Sequence, residues 1–264
     1  GTVKSIKWSK PLASLATDTA KFTGSNQYLV TIGSKDTLYA FTSKPNGVTD
    51  GYTLNDTIWK TTCGALSGNY SIGGATSSTN YATWQEATTT LASCGITTPV
   101  IFNVAAGTYT EHVLLNTVPG AMGNNTVTFQ SADRNPSSVT LQYASPLVIA
   151  NNYTLKLKGA KRIIIKDITL ASSGTNLSTN YGTVVDFDVN GVNTADSNVF
   201  YNNIINGMNV NTTSLSYASI SSSAKFNSAN KFIKNKFNFG SYGIYWNGVF
   251  QTTPTLAMPK DLVI

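Results

Sequence analysis

The chain has 264 residues, of which only 11% are charged, and its formal net charge at pH 7 is +6. Soluble domains average about 25% charged residues, whereas here Ser, Thr and Asn supply the polarity at about a third of all positions. The hydrophobic share of 41% excludes intrinsic disorder, and no apolar run reaches the roughly 18 residues of a membrane span. This composition is typical of an all-β, extracellular protein.

The first 62 residues form a separate predicted unit. Short strands are indicated at 28–32, 37–42 and 57–59, with turn-forming sequences such as Asn46-Gly47 between them. A complete β-sandwich needs about seven strands and more chain than this. We therefore predict that 1–62 is the C-terminal part of a β-sandwich.

A helix is predicted over about 83–94. Thr83 and Glu86 have the spacing of a capping box, in which the hydroxyl and the carboxylate each accept an N–H group of the first turn. Apolar residues then follow on one face, and Gly95 suits the C-terminal end. An amphipathic helix this short is expected to cover the open end of a larger structure.

Cys63 and Cys94 are the only cysteines, and they flank a segment that resembles a junction between two units. An even number of cysteines in a chain of this composition favours a disulfide and an oxidising compartment, with two buried free thiols as the alternative. A structural zinc site needs four ligands, and His112 is the only histidine. Zinc chemistry of the Cys/His type is therefore excluded.

A repeat appears in the second half of the chain. The segment 198–205 matches 230–237 at an offset of 32 residues, and 163–170 fits the same frame 35 residues earlier. Each of these segments has another predicted strand beside it in the sequence, at 153–157, 183–187, 217–220 and 242–246. Strands at such a period predict a solenoid, in which each coil buries its apolar side against its neighbours.

Stacking of coils accounts for the scarcity of charge. Leu155, Val185 and Phe232 are predicted to stack in columns of similar side chains, and Asn203 and Asn235 to form an Asn ladder at a corner. Ionised residues of like charge would repel at the strand spacing of about 4.8 Å. The alternative is an Asn-rich β-sandwich without a solenoid repeat.

Several segments resemble a known class of proteins. Residues 100–104 and 106–111 resemble the first strand of right-handed parallel β-helices of the pectin-lyase-like class, and Tyr242-Gly243-Ile244-Tyr245 resembles one of their coils. More narrowly, the stretch from 63–74 through 127–131 resembles a segment of large secreted surface proteins of Bacteroidota. The resemblance implies a structural role for Glu111.

In those surface proteins, the sequences around Asn46-Gly47 and Asn55-Asp56-Thr57 resemble the end of a preceding Ig-like or CARDB-like sandwich. The resemblance also implies that the chain is a piece of a longer polypeptide that continues beyond residue 264. We therefore predict an all-β chain, with part of a sandwich over 1–62 and a right-handed parallel β-helix with an N-terminal capping helix over 63–264.

One loop carries a possible metal motif. Asp186, Asp188 and Asn190 occupy positions one, three and five of a calcium-type loop, and a glycine follows at position six. Position twelve is Ser197 instead of Glu, and Asp196 lies one place early. Calcium bound by Asp186, Asp188, Asn190 and Asp196 is one hypothesis, and a strand with two outward carboxylates followed by an Asn-Gly turn is the other.

The same strand predicts a binding face. If Val185 and Phe187 point inward, then Asp186 and Asp188 point outward by the period of two, and the neighbouring coil places lysines beside them. The residues predicted to contact a glycan are Lys156, Lys158, Asp186, Asp188, Tyr245 and Asn247. A lyase could use a basic residue of this face with calcium held by its acids. Ordinary cross-strand ion pairing is the structural alternative.

Other candidates for chemistry are weaker. His112 has Glu111 beside it on the opposite side of the strand, and no Gly-x-Ser-x-Gly motif is present. We therefore predict a structural role for His112 and no catalytic residues. The lysines at 231, 234 and 236 do not form the continuous stripe that nucleic acid requires, although attraction to an acidic polysaccharide remains an alternative.

These observations predict a non-catalytic, extracellular stalk or adhesin segment at the cell surface. Its predicted partners are glycans or other surface polymers and the neighbouring domains of the same chain, with neither nucleic acid nor a membrane span. No cofactor is predicted apart from the calcium hypothesis. A calcium-assisted polysaccharide lyase is the alternative function.

Overall fold

The computed structural model describes residues 57–222 and 227–247, together with shorter stretches before residue 57, of which 18–30 and 35–42 are the longest. The predicted strand at 28–32 is described only as far as residue 30, and that part is not a strand. The Asn46-Gly47 turn and the chain after residue 247 lie outside the described residues.

Before the β-helix, the described residues contain a two-stranded antiparallel ribbon. Strands β1 (Lys35–Phe41) and β2 (Thr57–Cys63) pair only with each other. Tyr39 lies opposite Trp59, and both side chains are about two-thirds exposed. The assignment of 1–62 to a sandwich stays a prediction.

The rest of the described chain winds through three parallel sheets. Sheet 1 contains β3 (Leu66–Ile72), β4 (Asn80–Tyr81), β5 (Ile96–Val104), β8 (Val127–Ser131), β11 (Ile163–Lys166), β14 (Val199–Tyr201) and β17 (Lys231–Ile233). Sheet 2 contains β6 (Gly107–Thr110), β9 (Val139–Tyr143), β12 (Thr169–Ser172), β15 (Ile204–Asn206) and β18 (Lys236–Asn238). Sheet 3 contains β7 (Val113–Asn116), β10 (Leu155–Lys158), β13 (Val185–Asp188), β16 (Ile220–Ser222) and β19 (Ile244–Trp246).

Consecutive strands from β5 onward lie in sheets 1, 2 and 3 in turn, so five coils of three strands follow one another. Every pairing within these sheets is parallel. The chain is therefore an all-β, right-handed parallel β-helix with one α-helix in its described part, which confirms the predicted fold class. No helix among these residues has the length and apolarity needed to cross a bilayer.

The repeat segments correspond to strand pairs of successive coils, because 163–170, 198–205 and 230–237 contain β11 with β12, β14 with β15, and β17 with β18. The strand predicted at 217–220 was wrong in its first part. Leu215–Tyr217 is instead a 3₁₀ turn, because the N–H groups of Tyr217 and Ala218 donate to carbonyls three residues earlier. The strand begins only at Ile220.

The core consists of columns of apolar side chains, one from each coil. Every second residue of a strand points inward, and the parallel register places equivalent residues side by side. The column of sheet 1 contains Phe102, Phe129, Ile165, Phe200 and Phe232. The first column of sheet 3 contains Val113, Leu155, Val185, Ile220 and Ile244. Like-sized residues in register give the close packing that a narrow coil requires.

Asparagine amides join the coils at the corners. Asn203 donates from Nδ2 to the Ile165 carbonyl at 2.9 Å and to Asn235 Oδ1 at 3.0 Å, and its Oδ1 accepts the N–H of Ile168 at 3.2 Å. A second column, not singled out in the sequence, contains Asn198, whose N–H donates to the side chain of the next coil's asparagine, Asn230, at 3.0 Å. Both columns satisfy buried backbone groups where the strands end.

The predicted helix is present as α1 (Trp84–Cys94). The Thr83 hydroxyl accepts the N–H of Glu86 at 3.1 Å, while the Glu86 carboxylate accepts the N–H of Ala82 at 2.8 Å. Glu111, between β6 and β7, accepts the N–H groups of the first two helical residues at 3.2 and 3.0 Å. A carboxylate at this end also interacts favourably with the helix dipole.

The helix covers the first coils and is covalently tied to the ribbon. The Trp84 ring is fully buried and stacks on Phe129 with ring centroids 5.0 Å apart. A disulfide joins Cys63, at the end of β2, to Cys94, at the end of α1, which confirms the predicted bond. The ribbon is therefore anchored at its base to the cap of the β-helix.

Candidate functional site

The outward face of sheet 3 carries the predicted binding residues. Leu155 and Leu157 of β10 are buried, so the two lysines of this strand point outward, and the same alternation places the two aspartates of β13 outward. In the parallel register, Lys156 lies opposite Asp186 and Lys158 lies opposite Asp188. The structure therefore brings these four residues together on one face.

The ion pairs on this face follow the register only in part. The Lys156 ammonium lies 2.9 Å from Asp186 Oδ2 and 3.0 Å from Asp188 Oδ2, so one lysine holds both carboxylates. The second oxygen of Asp188 accepts the N–H of Val189 at 2.8 Å. Lys158 takes part in no ion pair among the described residues.

Most of the Lys156 side chain is buried, and the amine remains protonated. Burial alone would lower the pKa of Lys156, but the carboxylates of Asp186 and Asp188 outweigh it and raise the pKa above its ordinary value. Only 15% of the Lys156 side chain is exposed, compared with 34% for Asp188. The cluster therefore combines one ammonium with two carboxylates, and its net charge is −1 when all three are ionised.

An aromatic stack continues from this cluster. The Lys156 ammonium lies 5.3 Å from the centroid of the Tyr153 ring. Tyr153 stacks on His112 with centroids 3.9 Å apart, and His112 stacks on Tyr143 at 4.5 Å. Nε2 of His112 is buried and has no hydrogen-bond partner among the described residues. The imidazole is thus an inner member of a three-ring stack.

The surroundings of His112 favour its neutral form. Burial lowers the pKa of His112, the backbone of Asn151 opposes that shift through a hydrogen bond, and the charge of Lys156 lowers the pKa further. A neutral imidazole between two phenol rings avoids placing a second cation beside the ammonium. The sequence indicated a structural role for His112, but it gave no indication of the stack itself.

Tyr245 and Asn247 lie farther along the same face. Tyr245 lies opposite Ser221, which in turn lies opposite Asp186, so Tyr245 is two strand spacings, about 10 Å, from that aspartate. Its ring centroid is 6.3 Å from that of Tyr242. Asn247 follows β19 directly and donates its backbone N–H to the Ser222 carbonyl at 2.8 Å.

The four residues of the calcium hypothesis contact protein groups at three different places. Asp186 and Asp188 bind Lys156, whereas Asn190 pairs through its backbone with Asn193. Asp196 accepts the N–H of a residue in the next coil at 2.8 Å and lies 3.3 Å from the Lys161 ammonium. The part of the chain that the structure describes contains no group of three His, Cys, Asp or Glu side chains arranged to hold a metal. The calcium hypothesis stays a prediction.

No protein-family model matches the chain. No curated protein matches it either. Among solved structures it is similar to pectin methylesterase PemA from Erwinia chrysanthemi, with 13% identity, a TM-score of 0.48, and coverage of 70% of this chain and 53% of that one.

It is also similar to a deglycosylated pectin methylesterase from Aspergillus niger, with 15% identity, a TM-score of 0.41, and coverage of 71% of this chain and 60% of that one. The chain thus spans between half and three-fifths of the length of these two structures. Similarity at this level carries no information about activity, and the fold is defined by the strand topology described above.

Proposed function

We propose that the β-helix is a non-catalytic, extracellular stalk or adhesin segment that contacts glycans through the outward face of sheet 3. The observation that carries this proposal is the ion cluster of Lys156, Asp186 and Asp188, because its charged groups are already bound to one another. Such a cluster offers a ligand fixed carboxylate oxygens as hydrogen-bond acceptors and the methylene groups of the lysine side chain. It offers no unprotonated amine at Lys156. Tyr245 adds an aromatic ring about two strands away.

The rigidity of the face supports a binding role. Its side chains are carried by β10, β13, β16 and β19, which pair in one continuous parallel sheet. Sites on sheet strands hold their groups more precisely than sites on loops. Less side-chain entropy is therefore lost when a ligand binds. An extended polymer fits such a surface because equivalent positions recur at each strand spacing.

A lyase is less well supported by the same geometry. Removing a proton from a sugar carbon requires an unprotonated base within reach of it. The two carboxylates raise the pKa of Lys156, so its amine stays protonated and cannot act as the base. Lys158 lacks an ion-pair partner among the described residues and is therefore the lysine whose substitution tests the lyase alternative.

The extracellular location and the relation to neighbouring domains belong to the same proposal. The Cys63–Cys94 disulfide supports an oxidising compartment. The two-stranded ribbon exposes Tyr39 and Trp59, and an isolated two-stranded sheet is only marginally stable in water. We propose that the ribbon belongs to the end of a β-sandwich, whose other strands come from neighbouring parts of the same parent chain.

The test is a binding measurement on immobilised neutral and uronic-acid polysaccharides, with and without calcium. We expect binding to at least one neutral glycan, and a loss of roughly twofold to twelvefold in affinity for Tyr245→Ala, as expected for one aromatic contact of about 0.5–1.5 kcal/mol. Tyr39→Ala, which truncates an exposed tyrosine on the ribbon, is the matched control and should bind like the wild type.

Two results would overturn the proposal. One is the absence of binding across the whole panel by folded protein. The other is the release of unsaturated uronides that disappears in Lys158→Ala, which would make the protein a lyase. A requirement for calcium in binding, removed by Asp186→Asn, would support the calcium hypothesis without changing the proposed role.

A further inference from the structure

Three lysines lie around one corner of the last described coil. Lys231 begins β17, Lys234 occupies the turn, and Lys236 begins β18, and all three are exposed. We refer to these three residues as the lysine corner. It lies on sheets 1 and 2 and is therefore separate from the binding face on sheet 3.

The charges of the lysine corner are not compensated within the described part of the protein. Elsewhere in the β-helix, Lys156 and Lys161 each lie within 3.3 Å of a carboxylate oxygen. None of the three corner lysines forms an ion pair with a described residue. Three like charges on six consecutive residues repel one another, and a ligand of opposite charge removes that repulsion.

Among the described residues, the two preceding coils place no free carboxylate beside this corner. In the preceding coil, the residues opposite Lys231 and Lys236 are Val199 and Ile204, which are uncharged. The nearest acid in the corner column is Asp167, two coils back, which is buried and accepts the Asn202 amide at 2.8 Å. The described residues at the lysine corner therefore carry three positive charges without a described ion-pair partner.

The corner backbone is held in a defined conformation. Lys234 has a φ of 57° in the left-handed region, and the equivalent residue of the preceding coil, Asn202, has a φ of 52°. The next residue, Asn235, donates from Nδ2 to the Phe200 carbonyl at 2.9 Å and accepts the backbone N–H of Asn203 at 3.0 Å. The Lys234 ammonium lies 5.8 Å from the centroid of the Tyr201 ring, which restricts the side chain as well.

We propose that the lysine corner binds a linear anionic glycan through carboxylate or sulfate groups. The adjacent surface suits a sugar, because Asn238 shares the outward side of β18 with Lys236 and donates its amide to Asn206 at 2.8 Å, leaving amide groups for hydroxyls. Positive charge confined to one coil does not provide the extended stripe that a nucleic acid duplex follows.

The experiment measures the affinity of the whole chain for alginate, which carries carboxylates, and for chondroitin sulfate, which also carries sulfates, over a series of salt concentrations. The test variant combines Lys231→Ser, Lys234→Asn and Lys236→Ser, where Asn is chosen because it tolerates the left-handed region. The matched control replaces three exposed lysines outside the β-helix coils, as Lys7→Ser, Lys21→Ser and Lys60→Ser. Both variants lower the formal net charge from +6 by the same three units.

We expect the wild type and the control to bind at least one of the two glycans at low salt, and the corner variant to bind at least tenfold more weakly. Affinity should fall with salt in the wild type, and the slope of log affinity against log salt should flatten by about two to three in the corner variant. A variant with all three lysines replaced by arginine should retain binding, since the charge is kept. Circular dichroism and thermal melting establish that each variant is folded.

Other results would overturn the inference. Equal losses in the corner variant and in the control would show attraction by net charge alone. If the wild type bound neither glycan at low salt, the proposal that the lysine corner binds an anionic glycan would be wrong. Tighter binding to duplex DNA or to anionic vesicles, lost in the corner variant, would assign a different partner. Tyr245→Ala should leave this affinity unchanged, so failure here is distinguishable from failure of the sheet 3 proposal.

Discussion

Replacing Asn203 by Ala removes an amide that links three successive coils at one corner. The substitution leaves the N–H of Ile168 and the carbonyl of Ile165 without their partners, and both residues are fully buried. Each unsatisfied buried group costs about 1–3 kcal/mol. The contact with Asn235 is also lost. We expect the free energy of unfolding to fall by about 3–4 kcal/mol, a large part of the 5–15 kcal/mol typical of a domain.

Urea unfolding followed by circular dichroism measures this loss, and hydrogen exchange locates it. The amide of Ile168 should exchange much faster in Asn203→Ala, whereas amides in β5 should change little. Asn206→Ala is the matched control, because Asn206 accepts a single side-chain bond, from Asn238, on the outward side of β15. We expect the control to lose less than about 1 kcal/mol. If the two variants differed by less than this, the reasoning on buried corner amides would be refuted.

Two further predictions concern His112 and the disulfide. Because burial lowers the pKa of His112 below 6.5, the unfolded chain takes up its proton first as the pH falls, so stability declines below about pH 6.5. Between about pH 7 and about pH 5, the free energy of unfolding from urea titrations should therefore decline less in His112→Gln; equal declines would contradict this. Replacing Cys63 and Cys94 by Ser removes a cross-link between residues 31 apart, which costs about 3–4 kcal/mol in the chain-entropy account. The urea midpoints of the variant and of the reduced protein should both fall, and unchanged midpoints would disprove it.

Most of the fold can be predicted from sequence periodicity, because the periodic pattern involves residues at fixed separations along the chain. The alternation of Leu155, Lys156 and Leu157 identifies the inward and outward sides of a strand, and the offset of 32 residues between Asn203 and Asn235 identifies the stacking. Both features depend only on residues that recur at fixed distances along the chain. They therefore predict the coils and the side of each outward residue without knowledge of the loops.

Contacts that depend on the path of a loop cannot be predicted from sequence periodicity. Tyr143 ends β9 and Tyr153 lies two residues before β10, so both rings stack on His112 only because of the path of the connection between these strands, and no sequence pattern predicts that path. Glu111 caps α1 across 26 residues of chain for the same reason. The alternation of inward and outward residues correctly placed Lys156 beside Asp186. It did not predict that the long lysine side chain also contacts Asp188.

The stacking of coils also determines how the protein would respond to a mechanical load. The ladder hydrogen bonds run along the solenoid axis, so a pull that peels the chain from one end opens three short ladders for each coil. One coil of about 32 residues, at about 3.3–3.6 Å per residue, adds roughly 110 Å of contour length when it opens. The rod would thus lengthen in uniform steps under tension, and the Cys63–Cys94 bond would retain a loop of chain at the capped end.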